Sequence, residues 1–243
     1  MKKDREYKLS ENFLIEYQDA ALSNSQALIE EALLLFNNHH CARAYFLAAA
    51  STEETGKAYH AFSARGRNLR NPAIQSKIKK LFENHQAKFV GAMAWLMLGE
   101  KFDPKRVEYL FDVFANLRVG REKSMYADVV LNNNVTLPNN IVRKEAASSA
   151  IRLASDCLRA AKEFVKQSHP LKVTAIQDKF FTINSNVLTK IFGSEDFRYY
   201  LIEHIKSTNT LDYIPLTVKY YDRYYSKRKT YRQNPIMTEE GNS

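Results

Sequence analysis

The sequence predicts an all-α protein: an antiparallel bundle of about five long helices, followed by a mainly helical or irregular C-terminal extension. Three observations predict it. Gly and Pro, the strongest helix disruptors, number only seven and six in 243 residues. The prolines, Pro72, Pro104, Pro138, Pro170, Pro215 and Pro235, fall between periodic segments and so divide the chain. Within those segments apolar residues recur every three or four positions, which marks one buried face of a helix. Long helices with short connections pack as antiparallel neighbours.

The first helix is expected over Glu11 to Asn37, with Ser10 as N-cap and an inward side through Leu22, Leu28, Ile29, Ala32, Leu33 and Phe36. The second, Ala42 to Ala64, is alanine-rich and is expected to close near Gly66 through a left-handed residue. The third runs from Ala73 to Gly99 with Ile78, Leu81, Phe82, Phe89, Ala92 and Leu96 on one side; His85 falls two turns from both Ile78 and Ala92. The fourth begins at Asp103-Pro104, an N-cap followed by a proline, and turns Val107, Leu110, Phe114 and Leu117 inward. Asn132 to Asn140 reads as a polar loop. The fifth helix, Ile141 to Gln167, repeats Ala147, Ile151, Ala154, Leu158, Ala161 and Val165 as a seam for another helix. The helical domain is thus placed at 1–169 and the extension at 170–243. In the extension Ser194 to Lys206 reads as a short helix, and Lys219 to Arg232 combines six basic residues, one acid and five tyrosines.

Composition narrows the class of protein. A formal charge of +9 favours an anionic partner such as nucleic acid. The longest apolar run, Phe89 to Leu98, is about half of what a membrane span requires, so no membrane partner is expected. Cys41 and Cys157 each sit in a helical apolar pattern, which suits a reducing cytoplasm better than a disulfide scaffold.

Polar groups interrupt the apolar faces of three successive helices: Glu54 and Lys57 on the second, His85 on the third, Arg121 on the fourth. Lys88 and Asp128 are weaker members of the set. Two accounts fit this arrangement. One is a buried charge network that fixes helix register, and the other is a functional site. The chemistry of a site is limited by what the sequence lacks. A carboxylate-bridged metal centre in a bundle needs Glu-x-x-His pairs, and no such pair, zinc spacing or Gly-rich phosphate loop occurs. No metal or cofactor is therefore expected. Arg and Lys can hold a phosphate while His or Tyr moves protons, a set that fits cleavage of RNA by its own 2′-hydroxyl.

These residues carry a resemblance. Ser51-x-Glu53-Glu54-x-Gly56-Lys57, His85-x-x-Lys88 and Arg121-x-x-x-x-Tyr126-x-Asp128, followed by the Asn-rich loop and Pro138, resemble the AbiV branch of the HEPN helical domains over roughly Glu11 to Gln167. The resemblance implies a bacterial abortive-infection protein of the cytoplasm: a homodimeric, metal-independent ribonuclease triggered by a phage-encoded protein. In HEPN ribonucleases an Arg is followed four to six residues later by a His. Arg121 matches the Arg, but Tyr126 stands five residues on, and no His occurs between Arg121 and Leu158. Tyrosine is a poor base at neutral pH but can donate. Either His85 supplies the missing imidazole, or the cleft has lost catalysis and binds RNA or a protein.

In the catalytic reading Arg121 and Lys57 hold the scissile phosphate, His85 shuttles a proton, Glu54 orients Lys57 or Arg121, and Tyr126 donates to the phosphate. Arg118, Lys88 and Arg228 are candidate RNA contacts, Arg118 having a solvated helix face as its alternative. His39 and His40 are read as ending the first helix at its negative pole; His60, one turn past Glu53 and Lys57, either reaches the site or is an exposed helical residue, and the second reading is preferred. The tyrosines of Lys219 to Arg232 either stack on unpaired bases or form a protein interface.

Overall fold

The computed structural model describes residues 7–98, 104–130 and 134–233. The described residues are almost entirely helical, and the chain divides into two compact units, 1–172 and 173–243.

The first unit opens with a helical hairpin. Helix α1 (Glu11–Asn37) is capped by Ser10, whose hydroxyl accepts from the Phe13 N–H, and α2 (Cys41–Ala64) follows after three residues. His39 takes a left-handed conformation (φ 64°), and the His40 N–H donates to the Leu35 carbonyl. The two histidines thus make the reversal, and His40 borders the start of α2 besides following the end of α1. The helices run antiparallel: Ser25 meets Ser51 and Thr55, while Gln18, further back on α1, meets Arg65, further on along α2. Ser25, Ser51 and Thr55 are fully buried and share hydroxyl hydrogen bonds of 2.8 and 2.9 Å. Buried Gln18 and Ser25 take places on the inner side of α1, whereas Leu33, expected inward, is exposed.

Helix α2 ends at Ala64, but not through a left-handed Gly66. The space where a Cβ on Gly66 would stand lies 2.0 Å from the Leu171 carbonyl oxygen, so close approach of the chain is what requires glycine there.

The third expected helix is two. Helix α3 (Pro72–Glu83) stops at Asn84, and α4 (His85–Met97) starts from it. Asn84 is extended (φ −81°, ψ 113°) and its side chain accepts from the Ala87 N–H, so it ends one helix and caps the next. His85 therefore does not lie on a continuous face between Ile78 and Ala92. It is the first residue of α4.

Helix α5 (Pro104–Lys123) buries Leu110, Phe114 and Leu117; its expected cap, Asp103, lies outside the described residues, as does Gly99. The expected Asn-rich loop holds more structure. Strands β1 (Asp128–Val130) and β2 (Asn134–Thr136) pair antiparallel with Val129 opposite Val135, and a short helix α6 (Pro138–Ile141) follows. The β-branched Val129, Val130, Val135 and Thr136 favour this pairing. Val142 and Arg143 are extended, so α7 (Lys144–Gln167) begins three residues later than Ile141.

Helix α2 is the centre of this unit and packs against α1, α4, α5 and α7. Its alanines, with Trp95 and the Ala147, Ile151, Ala154, Leu158 and Ala161 seam of α7, form one core. Where α2 meets α4 the backbones touch. A Cβ on Gly56 would stand 1.7 Å from the Lys88 carbonyl oxygen, and one on Gly91 would stand 2.8 Å from that of Gly56.

The second unit contains α8 (Ala175–Thr182), α9 (Ser185–Gly193), α10 (Glu195–Thr208) and α11 (Tyr213–Arg223), then two 3-10 turns at 225–227 and 231–233. Ser194 caps α10 by accepting from the Phe197 N–H. Phe197, Tyr200, Leu216 and Tyr220 form a separate small core. Both cysteines are free thiols. Among the described residues no helix is long and apolar enough to cross a membrane.

Candidate functional site

Because α2 is surrounded by other helices, a charged residue on it meets them directly. Glu53 is 5% exposed. Its neighbours one turn away on the same side are Ala49 and Gly56, small enough to let α4 lie against α2. The first turn of α4 then delivers two groups to the carboxylate. His85 Nδ1 and Lys88 Nζ are each 2.7 Å from Oε2 of Glu53. Helix α5 delivers the third: Arg121 Nε is 2.8 Å from Oε1.

Helix α5 is brought close to α2 by another glycine. A Cβ on Gly120 would stand 2.3 Å from the Tyr45 hydroxyl, which itself donates to the Asn116 carbonyl at 3.3 Å. The Arg121 guanidinium carbon also lies 5.5 Å from the centre of the Phe46 ring. The last turn of α5 is closed by the Ser124 hydroxyl, which donates to the Arg121 carbonyl.

The four groups differ in their access to water. Lys88 has a side chain 7% exposed, that of Arg121 is 21% exposed and that of His85 is 56% exposed. Glu53 and Lys88 are thus an interior pair, whereas His85 forms the outer side of the cluster. The Arg121 contact is close but poorly aligned: neither buried atom, Arg121 Nε nor Glu53 Oε1, has a hydrogen bond. An ionised carboxylate only accepts. His85 Nδ1 therefore carries the proton in that contact, and Nε2 has no partner among the described residues.

The structure thus brings together His85, Arg121 and Lys88, and the carboxylate between them is Glu53. Glu54 instead pairs with Lys57, three residues along the same helix, with Nζ to Oε1 at 2.5 Å. Of the two expected partners of Glu54, Lys57 is the one it meets, while Arg121 is taken by Glu53: one residue is about 100° of helical turn, enough to separate the two carboxylates. The shared carboxylate is the adjacent Glu53. The signal that could have found it is its alignment with Ala49 and Gly56.

The other named residues lie elsewhere. Tyr126 follows α5 and is 60% exposed. Arg118 is exposed on α5. Asp128 opens β1 and accepts from the Val129 N–H through its own side chain. Arg228 is in the second unit, exposed and left-handed (φ 54°). His60 is not the exposed residue expected. Its Nε2 lies 2.8 Å from the Ala87 carbonyl, and burial lowers the imidazole from its ordinary value, outweighing that hydrogen bond. A cavity of about 620 Å³ lined by Trp95, Tyr109, Arg152, Asp156 and Phe164 belongs to another part of this unit.

A family model described as AbiV, of the HEPN type, matches residues 13–159, the segment holding Glu53, His85, Lys88 and Arg121. No curated protein and no solved structure matches the chain.

Proposed function

We propose, from the premise that the chain belongs to the AbiV family of HEPN proteins, that it is an abortive-infection effector cleaving RNA at the Glu53 cluster once a phage protein triggers it. The observation that carries this reading is the convergence of His85, Lys88 and Arg121 on one buried carboxylate. Two permanent cations and an imidazole facing one acid leave an excess of positive charge, which suits a phosphodiester.

In this mechanism Arg121 holds the scissile phosphate, and the buried Lys88 adds positive potential behind it. Nε2 of His85 takes the proton of the 2′-hydroxyl, whose oxygen then bonds to phosphorus as the bond to the 5′-oxygen breaks. The departing oxygen is protonated by Tyr126 or by water. The products are a 2′,3′-cyclic phosphate and a 5′-hydroxyl. Glu53 is a positioning residue: it sets the tautomer of His85 and the places of both cations. Lys57, held by Glu54, stands outside this set. The donor set argues against a metal at this point, because both oxygens of the carboxylate already face cations. A homodimer would present two such clusters to one RNA.

The second reading, a binding scaffold without cleavage, is favoured by the burial of the Glu53 and Lys88 pair, since such pairs also serve only to fix helix register. An RNA cleavage assay in EDTA separates the two. Wild type, Arg121→Ala and His85→Ala are compared with and without lysate from phage-infected cells. Cleavage that needs the lysate and is lost in both folded variants supports the ribonuclease. Absence of cleavage by folded wild type in every condition sinks it.

A further inference from the structure

The run from Lys219 to Arg232 sorts its two residue types into different places. Its five tyrosines are turned into the second unit. Tyr220 is 4% exposed and packs on Phe197 and Tyr200; Tyr224 and Tyr231 pack on Tyr200 and on each other; Tyr221 and Tyr225 stack together against the same core. Asp196 of α10 holds the end of the run in place. It accepts from the Tyr220 hydroxyl at 2.7 Å and from the N–H groups of Tyr231 and Arg232 at 2.8 and 3.1 Å. A hydrogen bond from Tyr231 to Glu203 adds a second tie.

The basic residues are left outside. Lys219 and Arg223, one turn apart on α11, and Lys227, Arg228 and Lys229 in the following turn are all exposed. None of the five has an ion-pair partner among the described residues. The acid within the run, Asp222, is taken by Lys179 at 2.5 Å, and Arg232 faces Glu195. The left-handed conformation of Arg228 turns the chain sharply between Lys227 and Lys229. Five exposed cations without ion-pair partners among the described residues, on a folded base against which the tyrosine rings are packed, match a chain of phosphates better than a set of bases.

We infer that the second unit carries a separate RNA-binding surface, Lys219, Arg223, Lys227, Arg228 and Lys229, which follows the phosphate backbone without reading the bases. It rests on the ribonuclease reading only in taking RNA as the polymer. Base stacking on tyrosine, the usual source of tight single-strand binding, is absent from this surface because each ring of the run is already packed. Recognition then comes from charge alone and is strongly salt-dependent.

The test measures binding of the full-length protein to 2′-O-methyl RNA 20-mers, which lack the attacking hydroxyl, across a range of salt concentrations. The variants change Lys227, Arg228 and Lys229 to Gln, or all five residues to Gln; every site is exposed, and the thermal melt checks the fold. Each lost phosphate contact lowers the slope of log K against log salt by about 0.7. The five-residue variant should therefore lose about 3.5 from the slope and the three-residue variant about 2, with affinity varying less than about threefold between U-rich and A-rich strands. Unchanged slopes in both variants overturn the inference. So does a loss of binding to poly-glutamate with RNA binding intact, which would assign the surface to an acidic protein. If the ribonuclease reading fails, ordinary RNA stays uncut while the slope difference remains. If this inference fails, the slopes coincide whether or not RNA is cut.

Discussion

Replacing Glu53 by Gln keeps the shape of the side chain and removes its charge, so it isolates what the carboxylate does for the cations around it. Arg121 and His85 have 21% and 56% of their side chains exposed and can turn to water. Lys88, at 7%, cannot. Leaving one member of a buried pair uncompensated costs about 3–5 kcal/mol. For a unit of this size each kcal/mol moves the melting temperature by about 2–4 °C, so Glu53→Gln should melt roughly 6–20 °C below wild type. Trp95, the one tryptophan, is buried at 1% in this unit and reports its unfolding by fluorescence. The double variant Glu53→Gln/Lys88→Met is the decisive comparison. If the cost arises from a stranded ammonium, removing that ammonium should restore at least about 2 kcal/mol of the loss, a coupling within the range of contacting residues. A Glu53→Gln protein within about 1 kcal/mol of wild type would refute the argument. So would single-variant costs that simply add, because Glu53 and Lys88 would then act independently.

Three further outcomes follow from the same structure. The His60 imidazole is lowered by burial, so its neutral form contributes stability that is fully present above the unfolded value of 6.5 and is lost as pH falls through the lower folded one; the urea midpoint should drop between pH 7.5 and pH 5 more in wild type than in His60→Gln, and equal drops would exclude His60 as the cause. Gly56→Ala forces α4 to retreat by about 1.5 Å to clear the Lys88 carbonyl, so it should cost at least the about 1–3 kcal/mol typical of overpacking and abolish any cleavage activity; a wild-type urea midpoint would show that the crossing tolerates a methyl group. Burial raises the Asp196 carboxyl, but hydrogen bonds from Tyr231, Tyr220 and Arg232 outweigh it and hold the group below its ordinary value; Asp196→Ala should therefore free the end of the run and speed tryptic cutting at Lys227 to Lys229, and unchanged digestion would show that the tyrosine packing suffices.

The helices that bury a regular stripe were legible. Periodicity together with cap and proline signals placed α1, α5 and most of α7, because each packs one face against a continuous core. It failed where a side chain competes with the backbone. Asn84 ends α3 and caps α4, yet the apolar pattern of Ile78, Phe82, Phe89 and Ala92 runs through it unbroken, so the break left no trace in the period. The central helix was harder for the opposite reason. With neighbours around it, α2 has no single buried face, so periodicity does not rank Glu53 against Glu54. Likewise, the tyrosines of Lys219 to Arg232 gave no sign of whether they faced in or out, since their core is built from α10 residues distant in sequence. Glu53, His85, Lys88 and Arg121 were all identifiable as charged groups on apolar faces that need partners; that Glu53 and not Glu54 is the one the other three share was not.

The backbone contact between α2 and α4 has a consequence for genetics. If the protein is toxic when activated, a selection for surviving cells would return two kinds of variant with the same phenotype. Changes at Arg121 or His85 would disarm a protein that still accumulates, whereas changes at Gly56 or Gly91 would deprive the cell of the folded protein, because a methyl group there meets main chain and not a movable side chain. Protein abundance, measured beside survival, would tell the two apart. The glycines would head a list of essential positions while taking no part in the chemistry, and the neighbouring Val90, half exposed on the same helix, would accept most replacements.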